Sequence, residues 1–308
     1  MKTNQQARHH RWCLAFSFLF MKAKSLGSVG IVVVACTSVF LSSARSSSSA
    51  TDKIKVEDLL TRHLQSIGPE KSRRSSRIIS GTSQVIFRTT PSGQAIGKAV
   101  MASDGSKTLI GMSFPSPIYP REQLGFDGNA FMAAFATPGN RSVLGNFLMA
   151  NEIIFKQGLM GGTLSSAWPL LDMSARKAEL EYVGTKKIDG RVLHEVKYLP
   201  RGTTDVKVTL YFAENTFEHV RTEYDRVIPA PMGKVEYANV QEREGRYKMV
   251  EEFSLFKAEG DLNLPHIYTI KLSVDTVNGT FLADWTIKLT NFEFNQKIDP
   301  AAFRITLD

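Results

Sequence analysis

Apolar and polar residues alternate with a period of two over much of this chain, and the alternation is cleanest in two places. Val206, Val208, Leu210 and Phe212 fall on one face of a strand, with Lys207, Thr209 and Tyr211 on the other. Phe281, Ala283, Trp285, Ile287 and Leu289 alternate likewise with Leu282, Asp284, Thr286 and Lys288. The first strand belongs to a run of four, Glu179–Thr185, Val192–Tyr198, Val206–Phe212 and Phe217–Tyr224, broken by Ile188-Asp189-Gly190, Pro200-Arg201-Gly202 and Ala213-Glu214-Asn215. Short β-rich runs between turn residues predict an antiparallel meander with one apolar face.

The same pattern extends both ways. Ser83–Thr89, Ala95–Ala102 and Thr108–Phe114 read as strands, Tyr119–Phe126 is ambiguous, and Ala130–Ala136 follows the turn Asp127-Gly128-Asn129. Downstream, Lys234–Val240, Tyr247–Phe256, Pro265–Thr276 and Thr280–Asn295 are strand candidates, the last two joined by the hairpin signal Asn278-Gly279. Helical spacing appears twice. Thr51–Ile67, with Asp52 as its cap and Gly68-Pro69 as its stop, is an amphipathic helix. Residues 140–173 place Val143, Phe147, Met149, Ile153, Ile154 and Phe155 on one helix, then Leu164, Trp168, Leu170 and Leu171 on a second short segment. About eleven strands and two helical regions with no βαβ rhythm predict an α+β, antiparallel fold. The insert 140–173 either packs on the sheet as core or is a movable plug over its apolar face.

The N-terminal stretch changes the domain picture. Residues 1–44 read as an export signal region, with Met21 as a candidate true start, Gly30–Ala35 as its apolar centre and Ser42-Ser43-Ala44 as small residues for cleavage. Val33-Val34-Ala35-Cys36 resembles a bacterial lipobox, which makes Cys36 a lipidation candidate. Cleavage near Ala44 and a retained anchor are the alternatives, and all three put the remainder outside the cytoplasm. Residues 45–50 are a Ser-rich tether, and 51–308 a single domain.

Charge and chemistry narrow the function classes. The chain of 308 residues has a formal net charge of +8. Residues 1–44 hold five of the 38 basic residues and no acid, which leaves 33 basic against 30 acidic residues elsewhere. The one basic cluster, Lys71, Arg73, Arg74 and Arg77, reads as a solvated loop, so a nucleic-acid partner is disfavoured. Both cysteines, Cys13 and Cys36, lie in the export region, so the domain has no disulfide and no thiol nucleophile. His63, His194, His219 and His266 are isolated, without metal-ligand spacing, and read as structural or solvent-facing. Glu251-Glu252 reads as a solvated carboxylate pair, and Gly161–Ser165 is neither a nucleophile elbow nor a phosphate loop. No metal or cofactor is expected, and no catalytic constellation is present. An apolar-ligand protein needs none, since burying a lipid tail gains about 0.8 kcal/mol per CH₂.

Several pieces together resemble a known family: VEDLLTRHLQSIG at the start, VGTKKIDGRVLHEVKY and VKVTLYFAENTFEHVRTEY in the middle, and NFEFNQKIDPAAFRI at the end. They look like the LolA/LolB-like periplasmic lipoprotein carriers and receptors, over roughly residues 51–308. The resemblance implies an incomplete antiparallel β-barrel, covered by helices, around an apolar cavity that takes acyl chains of lipoproteins or similar amphiphiles. It makes the insert 140–173 the counterpart of the family's lid. Soluble carriers tie barrel to lid through an arginine, and Arg88 is a position of that kind. The sequence shows no exposed leucine loop of the receptor type. Cavity-lining residues expected on this reading are Phe87, Leu210, Phe212, Phe253, Trp285 and Ile287 from the sheet, with Phe147, Trp168 and Leu171 from the lid. The implied partners are a lipid or lipoprotein acyl chain and an envelope protein. A non-catalytic interaction or sensing module with a self-filled barrel is the rival expectation, and a hydrolase of an envelope amphiphile a third.

Overall fold

A computed structural model describes residues 54–89, 92–202, 204–229, 244–276 and 279–307. All lie in the compact unit Thr51–Asp308. Twelve strands occur among them: β1 (Arg77–Phe87), β2 (Gly93–Asp104), β3 (Lys107–Ser113), β4 (Arg121–Phe126), β5 (Phe131–Ala133), β6 (Glu179–Ile188), β7 (Arg191–Leu199), β8 (Val206–Ala213), β9 (His219–Ile228), β10 (Gly245–Glu259), β11 (Leu262–Thr276) and β12 (Gly279–Phe294). They form one antiparallel sheet in the order β5-β4-β3-β2-β1-β12-β11-β10-β9-β8-β7-β6. The helices are α1 (Val56–Ile67), α2 (Glu70–Arg73), α3 (Val143–Ala150), α4 (Ile153–Lys156) and α5 (Met173–Arg176), with 3₁₀ turns at Gly162–Leu164, Pro169–Leu171 and Pro300–Phe303.

The sheet is open, because β5 and β6 do not pair. It is also strongly curled. Phe131 of β5 stacks on Phe155 of α4 with ring centroids 4.3 Å apart, and the Tyr198 hydroxyl of β7 donates to Gln157 at 2.7 Å. β5 and β7 stand ten strand steps apart, about 48 Å if the sheet were flat. Both nevertheless reach the same short stretch of insert. The sheet therefore wraps around residues 143–176, which fill its inner face together with α1. This is the antiparallel α+β, incomplete-barrel architecture expected from the sequence.

Alternation explains the inner face. Ala283, Trp285, Ile287 and Leu289 are buried along β12, and Val206, Val208, Leu210 and Phe212 along β8. Fully burying one such large side chain stabilises the fold by about 1.5–3 kcal/mol. A bulge opposite Ser80 and Gly81 leaves Thr290 without a partner in β1, so the inner phase resumes at Phe292 and Phe294. That phase change lets one long strand carry two apolar runs. α1 buries Leu59, His63 and Ile67 at four-residue spacing.

Several boundaries differ from expectation. The first strand begins at Arg77, six residues before Ser83, because Arg77 at its start and Ser80-Gly81-Thr82 in its middle interrupt the apolar alternation around Ile78 and Ile79. Tyr119–Phe126, ambiguous in the sequence, forms a strand over Arg121–Phe126, and Ala130–Ala136 shortens to Phe131–Ala133. α1 starts after Lys55 with no side-chain cap; the expected cap Asp52, and the expected strand Lys234–Val240, lie outside the described residues. The single helix expected through Phe155 is broken after Ala150, where the Asn151 side chain turns back to the Phe147 carbonyl at 2.6 Å. The basic cluster is not a solvated loop: Lys71 and Arg73 belong to α2, and Arg77 is 1% exposed on the inner face. Glu251 is likewise fully buried, while Glu252 faces outward to Arg221 and Lys271.

Candidate functional site

The insert is irregular, so its backbone cannot satisfy itself as a long helix would. Arginines take up the spare carbonyls. Arg77 Nη1 donates to Thr163 at 2.5 Å and its Nη2 to Arg73. Arg74 reaches Leu171 at 3.0 Å, Arg176 reaches Lys156 and Ala167 at 3.0 Å each, and Arg226 approaches Ala150. Burial in the barrel holds the Arg77 guanidinium down to about 10. Arg77 therefore occupies the place that the sequence offered to Arg88. Arg88 sits at the exposed end of β1, where its Nε pairs with Asp284 at 2.6 Å.

Two buried carboxyls hold the insert from the sheet side. Glu251 Oε1 accepts from the Gly161 N–H at 2.8 Å and from Tyr268 at 2.5 Å, and its Oε2 accepts from Tyr224 at 2.6 Å. Glu122 Oε2 accepts from Tyr119 at 2.7 Å and from Ser142, the residue that caps α3. Burial pushes each carboxyl up to about 7, against the hydrogen bonds that favour the charge. Arg77 Nε, Thr163 Oγ1, Glu122 Oε1 and His219 Nδ1 are buried here without a protein partner. Each such atom weakens the sheet–insert contact relative to a fully paired one.

Between these polar points lies a cluster of rings. His63 of α1 has its Nδ1 2.9 Å from the Phe217 carbonyl, and its Nε2 accepts from Trp168 Nε1 at 3.0 Å. That pairing requires a neutral ring protonated at Nδ1. Burial lowers His63 to about 4 accordingly. Trp168 stacks on His219 at 4.5 Å, and His219 packs against Phe253 at 4.9 Å and Phe212 at 5.6 Å. Two histidines that the sequence leaves isolated thus join three of the expected lining residues.

At the other end of the barrel is a small apolar mouth of about 240 Å³. It is lined by Phe87, Thr89, Ile118, Tyr119, Arg141, Ser142, Val143, Phe281 and Trp285. Phe87 and Tyr119 meet edge to face at 5.3 Å, and Trp285 Nε1 donates to the Tyr119 hydroxyl at 2.9 Å. A larger concavity of about 870 Å³ lies on the opposite face, where Thr82, Lys98, Ser113 and Arg121 are aligned across β1 to β4. Its lining is mixed, with Val100, Met112 and Pro120 beside Thr82, Lys98 and Arg121, and no residue of the insert lines it.

The nine expected lining residues are distributed as follows. Phe87 and Trp285 share the mouth, and Trp168 and Leu171 share a separate cleft near Arg74 and Arg176. Phe147, Leu210, Phe212, Phe253 and Ile287 are buried in the continuous core. Tyr119 and Phe281 at the mouth, and Arg77, Glu122 and Glu251 at the insert, were not foreseen. Cys36 lies outside the described residues. No group of histidines, cysteines or carboxylates suited to a metal ion occurs among the described residues, and no helix there is long and apolar enough to cross a membrane.

Gly158 fixes the path of the insert. Its φ is +75°, and a Cβ there would stand 2.0 Å from the Ala167 carbonyl oxygen. Gly158→Ala should therefore destabilise the protein by about 2–4 kcal/mol, through clash and strain together. Denaturant unfolding measures this, and a loss below about 0.5 kcal/mol would contradict the close approach.

No protein-family model and no curated protein sequence matches the chain. Solved structures similar to it include a domain named for outer membrane lipoprotein sorting, from Vibrio parahaemolyticus. That domain is 11% identical, with a TM-score of 0.44, over 81% of this chain and 97% of its own. A LolA superfamily protein from Nitrosomonas europaea is 10% identical, with a TM-score of 0.43, over 82% and 98%. A DUF1329 family protein from Desulfovibrio piger is 12% identical, with a TM-score of 0.42, over 80% and 95%. What the chain has in common with these proteins is a likeness of fold.

Proposed function

We propose that this chain is an exported envelope protein that binds a lipid or lipoprotein acyl chain in the space the insert now fills, with the mouth at Phe87 and Trp285 as the point of access. The observation that carries the reading is the insert itself. It is a compact apolar plug, tied to the sheet by a few side chains acting on its backbone, with unpaired polar atoms at the contact. Pockets for small molecules usually run to about 300–1,000 Å³. A mouth of about 240 Å³ holds only the end of a chain, so deeper binding requires the plug to move. Phe147, Trp168, Leu171, Leu210, Phe212, Phe253 and Ile287 are then the surface uncovered. The role is binding rather than reaction, with an envelope protein as donor or recipient. Lipidation of Cys36 would anchor the chain at a membrane; the intact mass of the exported protein decides between that and cleavage near Ala44.

A second reading has its own support. Leu144, Leu148, Ile154, Leu159, Leu164 and Trp168 of the insert are all at most 1% exposed, so the barrel is filled by its own side chains. A permanently filled barrel would serve as an interaction or sensing module. A fluorescent long-chain acyl probe separates the two. Saturable binding, with a lipid co-purifying under native mass spectrometry, is expected; neither result in folded protein would favour the filled module. Ile118 is 68% exposed at the mouth, so Ile118→Asp should leave stability unchanged. It should weaken the probe about three- to tenfold, as a charge replaces apolar contact. Unchanged affinity would move the access point elsewhere.

A further inference from the structure

The apolar mouth carries a single charge. Of the nine residues that line it, only Arg141 is ionic, and no acid is among them. Arg141 Nε donates to the Ala133 carbonyl at 2.8 Å, and its Nη2 reaches Met132 Sδ at 3.6 Å. Its guanidinium lies over the Phe135 ring, 4.9 Å from the centroid. These contacts hold the group in place, and none of them neutralises it. Among the described residues Arg141 pairs with no carboxylate, whereas Arg88, also near the mouth, has Asp284. One acid, Glu122, stands behind the wall, buried and bonded to Ser142 and Tyr119. Burial pushes it up to about 7, so below that pH it is mostly uncharged and leaves the arginine unanswered.

The hydrogen-bonding capacity left at the mouth is that of donors. Tyr119 and Ser142 give their hydroxyl protons to Glu122, and they accept N–H bonds from Trp285 and Gly145. Thr89 Oγ1 accepts the Leu282 N–H at 3.1 Å, and its own O–H has no acceptor among the described residues. Arg141 Nη1, with two N–H groups, has none there either. The eight-residue helix α3 begins at Val143, which also lines the mouth, so the positive end of its dipole lies on the same side. Phe87, Ile118, Val143, Phe281 and Trp285 make the remaining wall apolar.

A cation held against such a wall without a counter-ion is unfavourable, and an anion brought to it relieves the cost. A cationic head would meet a like charge and only donors. An alcohol or an ester supplies an acceptor but no charge. A carboxylate or a phosphate supplies the charge and several acceptor oxygens, and a guanidinium N–H to such an oxygen is about twice as strong as a neutral pair. We infer that the ligand taken at the mouth is an acyl amphiphile with an anionic head, carboxylate or phosphate, whose tail enters the barrel while the head stays at Arg141 and Thr89. This rests on the acyl-chain reading above and adds to it the charge of the head and its place.

The test compares four ligands that share one alkyl chain and differ only in the head. The fatty acid, the alkyl phosphate, the alcohol and the trimethylammonium salt would each displace an uncharged fluorescent acyl probe near neutral pH, below the concentrations at which they form micelles. At least one of the two anions is expected to bind about tenfold more tightly than the alcohol, the worth of a hydrogen bond to a charged group. The cation is expected to bind more weakly than the alcohol. Acid against phosphate decides which head fits. In Arg141→Met the anions and the alcohol should converge, with the alcohol's own affinity kept, and Arg141→Lys should retain part of the preference. Equal displacement by the anions and the alcohol in the unsubstituted protein overturns the anionic head and leaves acyl-chain binding standing. A protein that binds neither the probe nor any of the four overturns the acyl-chain reading and the head assignment with it. A preference that persists in folded Arg141→Met removes Arg141 from the site. The first comparison needs no variant, so a substitution that fails to fold does not remove the test.

Discussion

Arg77→Met should free the insert while leaving the sheet folded. Methionine fills much the same volume, but it abandons the carbonyls of Thr163 and Arg73, which the guanidinium now bridges. Leaving a buried acceptor unpaired costs about 1–3 kcal/mol each, and part of this is offset because a buried cation no longer has to be desolvated. A net loosening of about 2–4 kcal/mol is expected, concentrated in residues 158–168 rather than in β10 to β12. Native-state amide exchange reads this directly, since local opening speeds exchange about tenfold per 1.4 kcal/mol. Arg77→Lys should not rescue it, because a single ammonium lacks the planar fork that spans two carbonyls. If ligand binding requires the open insert, the probe should bind Arg77→Met more tightly, because less free energy is spent on opening. Equal protection of Gly161–Trp168 in Arg77→Met and in the unsubstituted protein would sink the latch.

The strands were legible because alternation and turn chemistry point the same way. Val206–Phe212 and Phe281–Leu289 bury the residues their period places together. The residues that hold the insert were harder, since a charge interrupts an apolar run. A signal was nevertheless present. Met249, Glu251 and Phe253 alternate on one face, as do Glu122, Leu124 and Phe126, and Arg77 precedes Ile79 in the same phase. A charged residue in step with apolar ones is a buried charge, and a buried charge needs partners from elsewhere in the fold. Pairwise spacing could not supply those partners. Gly161 lies 90 residues from Glu251, and Thr163 lies 86 from Arg77. The same holds for the histidines: His63 and Trp168 are 105 residues apart and meet only once the sheet has curled.

The buried acids and histidines also predict how stability responds to pH. Burial raises Glu251 from 4.5 to about 7. Between those values the folded chain holds a proton that the unfolded chain has released, so stability falls as pH rises, by up to about 1.4 kcal/mol per pH unit. This contribution is complete below 4.5 and gone above about 7. Glu122 behaves in the same way, raised by burial against hydrogen bonds from Ser142 and Tyr119. His63 does the reverse. Burial lowers it from 6.5 to about 4, so the unfolded chain holds the extra proton in that window and stability rises with pH. Burial, and then the nearby His63, drive His219 in the same direction. Two acids and two histidines therefore act with opposite sign as pH rises from about 4.5 to 6.5, the acids lowering stability and the histidines raising it. Removing one acid exposes the slope. Relative to the unsubstituted protein, Glu251→Gln should gain about 3 kcal/mol between pH 4.5 and 7, and Glu122→Gln a similar amount. Denaturant unfolding at several pH values across this range gives the difference curve. A constant offset between Glu251→Gln and the unsubstituted protein would mean that the folded chain holds no proton on Glu251, and that the carboxyl meets Gly161, Tyr224 and Tyr268 as an anion throughout.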